Sequence, residues 1–277
     1  MADRQHIHNS SKSLRVISIT GGKGGIGKTT LSINLAVAFA KLNQKVLLFD
    51  ADLGLANVDV MLGLHPDKNI HDVLSGECTL PDVCIRGPHG INIIPAASGI
   101  QEMADLSSIE SIELIRSFSS MADSIDIMII DLASGISNQV IDFTHAAQDV
   151  IVMICNDPTS LMDSYAVIKI LHQKYARSRF GIVVNKVKNP AEGYQVFSKF
   201  QDVAAKFIHI SMHYLGHIPS DDFIAVAARE RVSVVDKFPQ SKSAIAINNL
   251  SHGIIHWREE NYLTGGIQFF FERLVKN

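Results

Sequence analysis

Gly22-Lys-Gly-Gly-Ile-Gly-Lys-Thr29 carries the spacing G-x-x-x-x-G-K-[ST]. Glycines let the backbone curl until successive N–H groups face inward, and the helix that follows adds its positive N-terminal end. Such a cradle suits a polyphosphate. In it Lys28 supplies a point charge to the β and γ phosphates and the Thr29 hydroxyl a ligand position for Mg²⁺. Gly22, Lys23, Gly24, Gly25, Ile26, Gly27 and Thr30 complete the loop. Lys23 is not required by the spacing, and chemistry alone leaves it as a second cation beside the phosphates or a solvated surface lysine. Asp50 and Asp52, two residues apart at the end of an apolar run, point the same way, so both can approach one Mg²⁺-bound phosphate or its attacking water. Asp131 closes a second apolar run, Asp126-Ile-Met-Ile-Ile-Asp131, where a carboxylate holds Mg²⁺ through water.

The elements that must place these groups are readable in order. Arg15 to Thr20 is an expected strand, Lys28 to about Leu42 a helix with apolar residues at Leu31, Leu35, Ala38 and Leu42, and Lys45 to Asp50 a second strand. Further apolar strands are expected at Gly90 to Pro95, Asp126 to Asp131, Val150 to Ile154, Phe180 to Asn185 and Tyr214 to Pro219. Helical patterns alternate with them at Ile109 to Met121, Ser160 to Tyr175, Ala191 to Phe207 and Ser243 to Trp257. Continuous apolar strands alternating with helices indicate an α/β fold, a mostly parallel twisted sheet with helices on both faces. Ligands then gather at the carboxyl ends of its strands.

With 277 residues, 47% of them hydrophobic and 19% charged, the chain can bury one large domain. The expected division is a lead at 1–13, an ATPase-like domain at 14–262 and a terminal helix at 263–277. A net charge of −3 leaves no electrostatic footprint for nucleic acid. Cys78, Cys84 and Cys155 form no C-x-x-C pair, which disfavours a disulfide framework and an iron–sulfur carrier. His209, His213 and His217 recur every four residues, but the third falls in an expected strand, so no metal site is read there. Residues 1–13 are polar and lack the apolar core of a secretory leader, and no apolar run reaches about 18 residues, so a cytosolic protein is expected.

Gly22-Lys-Gly-Gly-Ile-Gly-Lys-Thr29, with its extra Lys23, resembles the phosphate loop of the MinD/ParA ATPases. Gly54-Leu-Ala-Asn-Val-Asp-Val-Met-Leu-Gly63, Asn69-Ile-His-Asp-Val-Leu74 and Pro95-Ala-Ala-Ser-Gly99 are similar to the flagellar-number regulators of the FlhG/FleN branch. The resemblance spans roughly residues 14 to 277. It implies ATP, ADP and Mg²⁺ as ligands, slow hydrolysis and an ATP-dependent homodimer in which Lys23 reaches the partner's nucleotide. It further implies that Asp52 engages the hydrolytic water and that Gly135 senses the γ-phosphate. Asn185 would read the adenine edge, and Pro219 and Asp221 would line the adenine pocket. Relatives usually read D-x-P-A-G at the second switch, where this chain has Asp131-Leu-Ala-Ser-Gly135.

Beyond Gly265-Gly266, Ile267, Phe270, Phe271, Leu274 and Val275 fall on one face of a helix that can lie in a membrane interface or dock on its own domain. The resemblance implies reversible membrane association, with the cell pole as a location. It also implies the flagellar GTPase FlhF, the regulator FleQ and switch-ring proteins as partners. Residues 1–15 hold no clear copy of the Asp-Gln-Ala-x-x-Leu-Arg motif with which some members stimulate the GTPase. Two other readings remain: a division-site or partition ATPase, and a nucleotide-set antagonist of a transcription regulator.

Overall fold

A computed structural model describes residues 14–97, 99–100, 103, 106–257 and 269. In chain order the elements are β1 (Arg15–Thr20), α1 (Lys28–Lys41), β2 (Val46–Ala51), α2 (Val58–Leu62), α3 (Ile70–Leu74), β3 (Ile85–Arg86) and β4 (Asn92–Ile94). There follow α4 (Ser108–Ser117), β5 (Ile127–Leu132), α5 (Asn138–Ala146), β6 (Asp149–Cys155), α6 (Pro158–Tyr175) and β7 (Arg179–Val187). The last are α7 (Pro190–Ala205), β8 (Ser211–Pro219), α8 (Asp222–Arg229), α9 (Val234–Lys237) and α10 (Lys242–His256). The stripes at Ile267, Phe270, Phe271, Leu274 and Val275 lie outside the described residues, as does the lead at 1–13.

The strands form one sheet of eight in the order β3-β4-β2-β5-β1-β6-β7-β8. All neighbours are parallel except β3, which runs antiparallel to β4. β1 therefore sits between β5 and β6, and the chain turns to opposite sides of it, the crevice where α/β sheets bind ligands.

Alternation along the strands explains both covered faces. Ile17 and Ile19 of β1 pack with α1 and α10, whereas Val16 packs on the other face with Phe49, Met128 and Ile130. The second cluster contains Phe118 and Phe143, both wholly buried, and α6 and α7 cover the β6–β7 half. The helix expected over 109–121 is shorter: α4 stops at Ser117 and a tight turn of 3₁₀ type continues through Phe118–Ser124, which drives Phe118 inward.

The single described residue of the tail is informative. Phe269 is wholly buried, its ring lies 5.1 Å from that of Phe118 and 6.2 Å from that of Phe143, and its N–H donates to the Ala146 carbonyl at 3.3 Å. Burying such a ring contributes about 1.5–3 kcal/mol. At this point the tail docks on its own domain.

β8 starts earlier than the sequence reading placed it, at Ser211, because its residues complete the ladder to β7 from Arg179 onward. His213 and His217 lie on this strand and His209 precedes it, so the three do not share a helical face. Among the described residues no three His, Cys, Asp or Glu side chains are grouped as for a metal ion, and no helix is long and apolar enough to cross a membrane.

Candidate functional site

The phosphate loop leaves the end of β1 and enters α1, whose first residue is Lys28. Gly27 caps the helix at φ 98, a left-handed backbone that only glycine adopts freely. Gly22 is required by packing: a Cβ there would lie 2.2 Å from the Asp163 carbonyl carbon of α6. The loop is thereby pressed against the start of α6.

Lys28 is buried, and burial lowers its pKa, opposed by the nearby Asp131 and Asp52 carboxylates. Those two acids fix its place in the site. Asp131, at the end of β5, is wholly buried; its Oδ1 accepts from the Ser32 hydroxyl at 2.7 Å, and the nearby Thr29 hydroxyl also favours its charged form. Its Oδ2 is buried with no hydrogen-bond partner among the described residues. Burial raises the Asp131 pKa to about 6, against the lowering by Ser32, Thr29 and Lys28. A buried, unpartnered carboxylate oxygen beside a threonine hydroxyl is the donor chemistry of a hard divalent cation, so Thr29 and Asp131 fit Mg²⁺.

Asp50 has another task than the metal position expected of it. Its Oδ1 accepts from the Asp52 N–H at 3.2 Å, and its Oδ2 from the N–H groups of Asn57 and Val58 at 2.9 and 3.0 Å. Both oxygens are thus spent on folding the segment after β2, which is how Asp52 comes to face Lys28. Burial and the neighbouring Asp131, its register partner on β5, push Asp50 up to about 8. Asn57 begins α2 without capping it; its amide donates to the Leu55 carbonyl at 2.6 Å and lies 3.5 Å from Asp52 Oδ2.

These shifts have a consequence for stability. From the ordinary carboxylate value of 3.8 the folded chain holds protons that the unfolded chain has lost, on Asp131 up to about 6 and on Asp50 up to about 8, so stability falls as pH rises through that range. His145 acts oppositely, but only below its ordinary value, since burial lowers it to about 4. Thermal melts of the ligand-free protein should therefore fall from about pH 6.5 to about pH 8, and Asp131→Asn should flatten that slope. An unchanged slope in the variant would refute the coupling.

Lys23 does not project freely. Its ammonium donates to Asp157 Oδ2 at 2.7 Å and to Thr159 Oγ1 at 2.8 Å, both at the start of α6. Asp157 also caps α6 by accepting from Ser160 N–H, and these bonds, the Lys23 one foremost, hold its carboxyl far below the usual range. Gly135 has φ 102, and the Ser134 hydroxyl of the second switch faces Gly24 of the loop.

The adenine expectations meet a different geometry. Asn185 Nδ2 donates to the Ile26 carbonyl at 2.6 Å, and its Oδ1 accepts from Lys186 N–H at 2.8 Å, so the amide holds the loop. Pro219 ends β8 opposite Val187, next to this corner. Asp221 caps α8, and its second oxygen accepts from the Ser243 N–H and hydroxyl, each at 2.9 Å, which ties α8 to α10 and leaves only backbone to line a pocket.

Ser32, Ser134, Asp157, Thr159 and Lys186 were not singled out as site residues from sequence. Only Asp157 carried a local signal, an acid followed by proline at a helix start.

The CobQ/CobB/MinD/ParA nucleotide binding domain matches residues 17–234. The chain belongs to this family. Like other MinD/ParA-type proteins it is a P-loop ATPase with a nucleotide binding domain. It is 42% identical to the antiactivator FleN of Pseudomonas aeruginosa over 268 residues, 97% of this chain and 96% of that protein. It is 32% identical to the flagellum site-determining protein YlxH of Helicobacter pylori, across 95% of this chain and 90% of that protein. The septum site-determining protein MinD from Pyrococcus horikoshii, solved with Mg-ADP, superposes with a TM-score of 0.73 at 27% identity, covering 87% of this chain and 96% of that one.

Proposed function

We propose that the chain is an ATP-driven switch that dimerises with ATP and sets flagellar number or placement and flagellar gene expression. The observation that carries the reading is Lys23, held at the open edge of the phosphate loop by an ion pair whose side chains are both part exposed, 44% and 40%. Such a pair is weak and exchangeable. Around it stand exposed apolar side chains on the same rim: Leu55 beyond Asp52, Ile136 beyond Gly135, and Met162 on α6, at 68%, 51% and 74% exposure. A second copy placed loop to loop would cover them and give Lys23 a phosphate in exchange for Asp157.

In the proposed cycle Lys28 and Thr29 hold phosphate and metal, Asp131 completes the metal shell, Asp52 orients the attacking water and Gly135 follows the γ-phosphate. Bound Mg²⁺ supplies charge neutralisation on the phosphate oxygens. Likeness to FleN and YlxH supports FlhF, FleQ and switch-ring proteins as candidate partners. Membrane contact is assigned to Ile267, Phe270, Phe271, Leu274 and Val275. On a helical wheel Phe269 falls opposite that stripe, so its docking on the domain is compatible with a stripe turned to lipid. Localisation is then cytoplasmic and reversibly peripheral, with the cell pole included.

The test is light-scattering mass after gel filtration of Asp52→Ala with ADP and with ATP, with and without Lys23→Ala. A monomer with ADP and a Lys23-dependent dimer with ATP are expected. A monomer throughout would leave a nucleotide-binding antagonist that acts through its partner alone.

A further inference from the structure

Ser32 lies on α1 one turn beyond Lys28 and is wholly buried; its Oγ stands 2.7 Å from Asp131 Oδ1 and 3.0 Å from the Lys28 carbonyl oxygen. A hydroxyl has one proton for these two acceptors. The carboxylate is nearer and charged, so it takes the proton, and a bond that would otherwise close back on the helix reaches across to β5. One end of the Asp131 carboxylate is thereby anchored on α1. Its Oδ1 keeps a second lone pair, but sharing charge with the hydroxyl makes it the weaker donor. Oδ2, buried and unpartnered among the described residues, is the oxygen left at full strength.

Asp50, the register partner of Asp131, offers no alternative, because both of its oxygens accept backbone N–H groups. How many strong carboxylate oxygens a site presents decides which cation suits it. Mg²⁺ is small, keeps several waters and needs only one or two carboxylates beside the substrate phosphates. Ca²⁺ gathers about six to eight oxygens and readily takes a carboxylate by both at once. An Asp131 held by Ser32 at one oxygen suits the first of these and not the second.

We propose that Ser32 is a positioning residue that presents Asp131 through Oδ2 and so sets the preference of the site for Mg²⁺ over Ca²⁺. The inference rests on the proposed reading only in taking Thr29 and Asp131 as the metal site, and it is independent of dimerisation.

The experiment is calorimetric titration of the full chain by ADP in a chelator, in excess Mg²⁺ and in excess Ca²⁺, for wild type, Ser32→Ala and Ser32→Cys. The readout is the gain in ADP affinity that each metal brings. In wild type Mg²⁺ should bring more than Ca²⁺. Ser32→Ala should lose on the order of tenfold of the Mg²⁺ gain, as expected when an outer partner of a metal ligand is removed. Its Ca²⁺ gain should hold or rise, and its affinity in chelator should match wild type. Ser32→Cys keeps the side-chain volume but has only a weak donor, so it should follow alanine. A cysteine variant that behaves as wild type while alanine does not would assign the effect to packing and overturn the proposal. An equal loss with both metals, an equal loss in chelator, or an unchanged preference would overturn it too. Wild type that binds ADP no better with metal than without would remove the metal site itself, and the role of Ser32 with it.

Discussion

Asp52→Ala should bind ATP about as well as wild type and hydrolyse it about 10²- to 10³-fold more slowly, the usual contribution of a group that orients or activates a nucleophile. Asp52 is only half buried; burial raises its pKa and the Lys28 ammonium lowers it. Its position depends on Asp50, which gathers the N–H groups of Asp52, Asn57 and Val58 and so folds the switch segment around the carboxylate. Alanine removes one negative charge from the neighbourhood of the phosphates, so ground-state affinity should not fall. Asp52→Asn keeps the shape and removes the charge, and should lose nearly as much rate. Single-turnover hydrolysis, measured beside nucleotide affinity, decides the matter. A rate within tenfold of wild type would exclude Asp52 from handling the water.

The largest effect on stability is expected at the opposite edge of the sheet. Arg15 and Asp149 are both buried, and the Arg15 Nε donates to Asp149 Oδ2 at 2.6 Å. The same guanidinium donates to the carbonyls of Ile254 and Trp257, where α10 ends with unsatisfied acceptors. Arg179 reaches the other Asp149 oxygen at 3.3 Å and stacks 4.1 Å over the Trp257 ring. Arg15→Met keeps the apolar stem but leaves a buried carboxylate short of its closest donor and strands the helix end. Breaking a buried pair in this way costs about 3–5 kcal/mol. In a chain of this size that lowers the melting temperature by about 10 °C. Because Trp257 is the single tryptophan, its fluorescence reports the same corner during unfolding. Arg15→Lys should recover little, since an ammonium cannot serve carboxylate and carbonyls in one plane. A loss below about 1 kcal/mol would show that the network is not what holds α10.

The phosphate loop is legible in the sequence. Residues 22–29 form a local pattern, because glycines, lysine and threonine must follow one another to build the loop, and adjacent positions are visible in a linear text. Asp131 was found because it ends an apolar run, and strand ends at the carboxyl edge of a parallel sheet are ligand positions. Asp50 was found on the same grounds but assigned otherwise, since a sequence does not reveal that three backbone N–H groups converge on its oxygens. Asn185 shows the same limit. Its type suits an adenine edge, but the carbonyl it holds belongs to a residue 159 positions away.

The sequence by itself determined the parallel α/β sheet, the phosphate loop with its second lysine, and the acids at the carboxyl ends of β2 and β5. Each is written in short-range periodicity or in the spacing of a few neighbours. Tertiary structure alone decided that Lys23 rests on Asp157, 134 residues on, that Lys186 bulges toward Gly25, and that Phe269 fills the gap between Phe118 and Phe143. Those contacts depend on which strands lie side by side and where each strand ends. Hydrophobic burial sets that arrangement over the whole chain at once, so no local stretch encodes it.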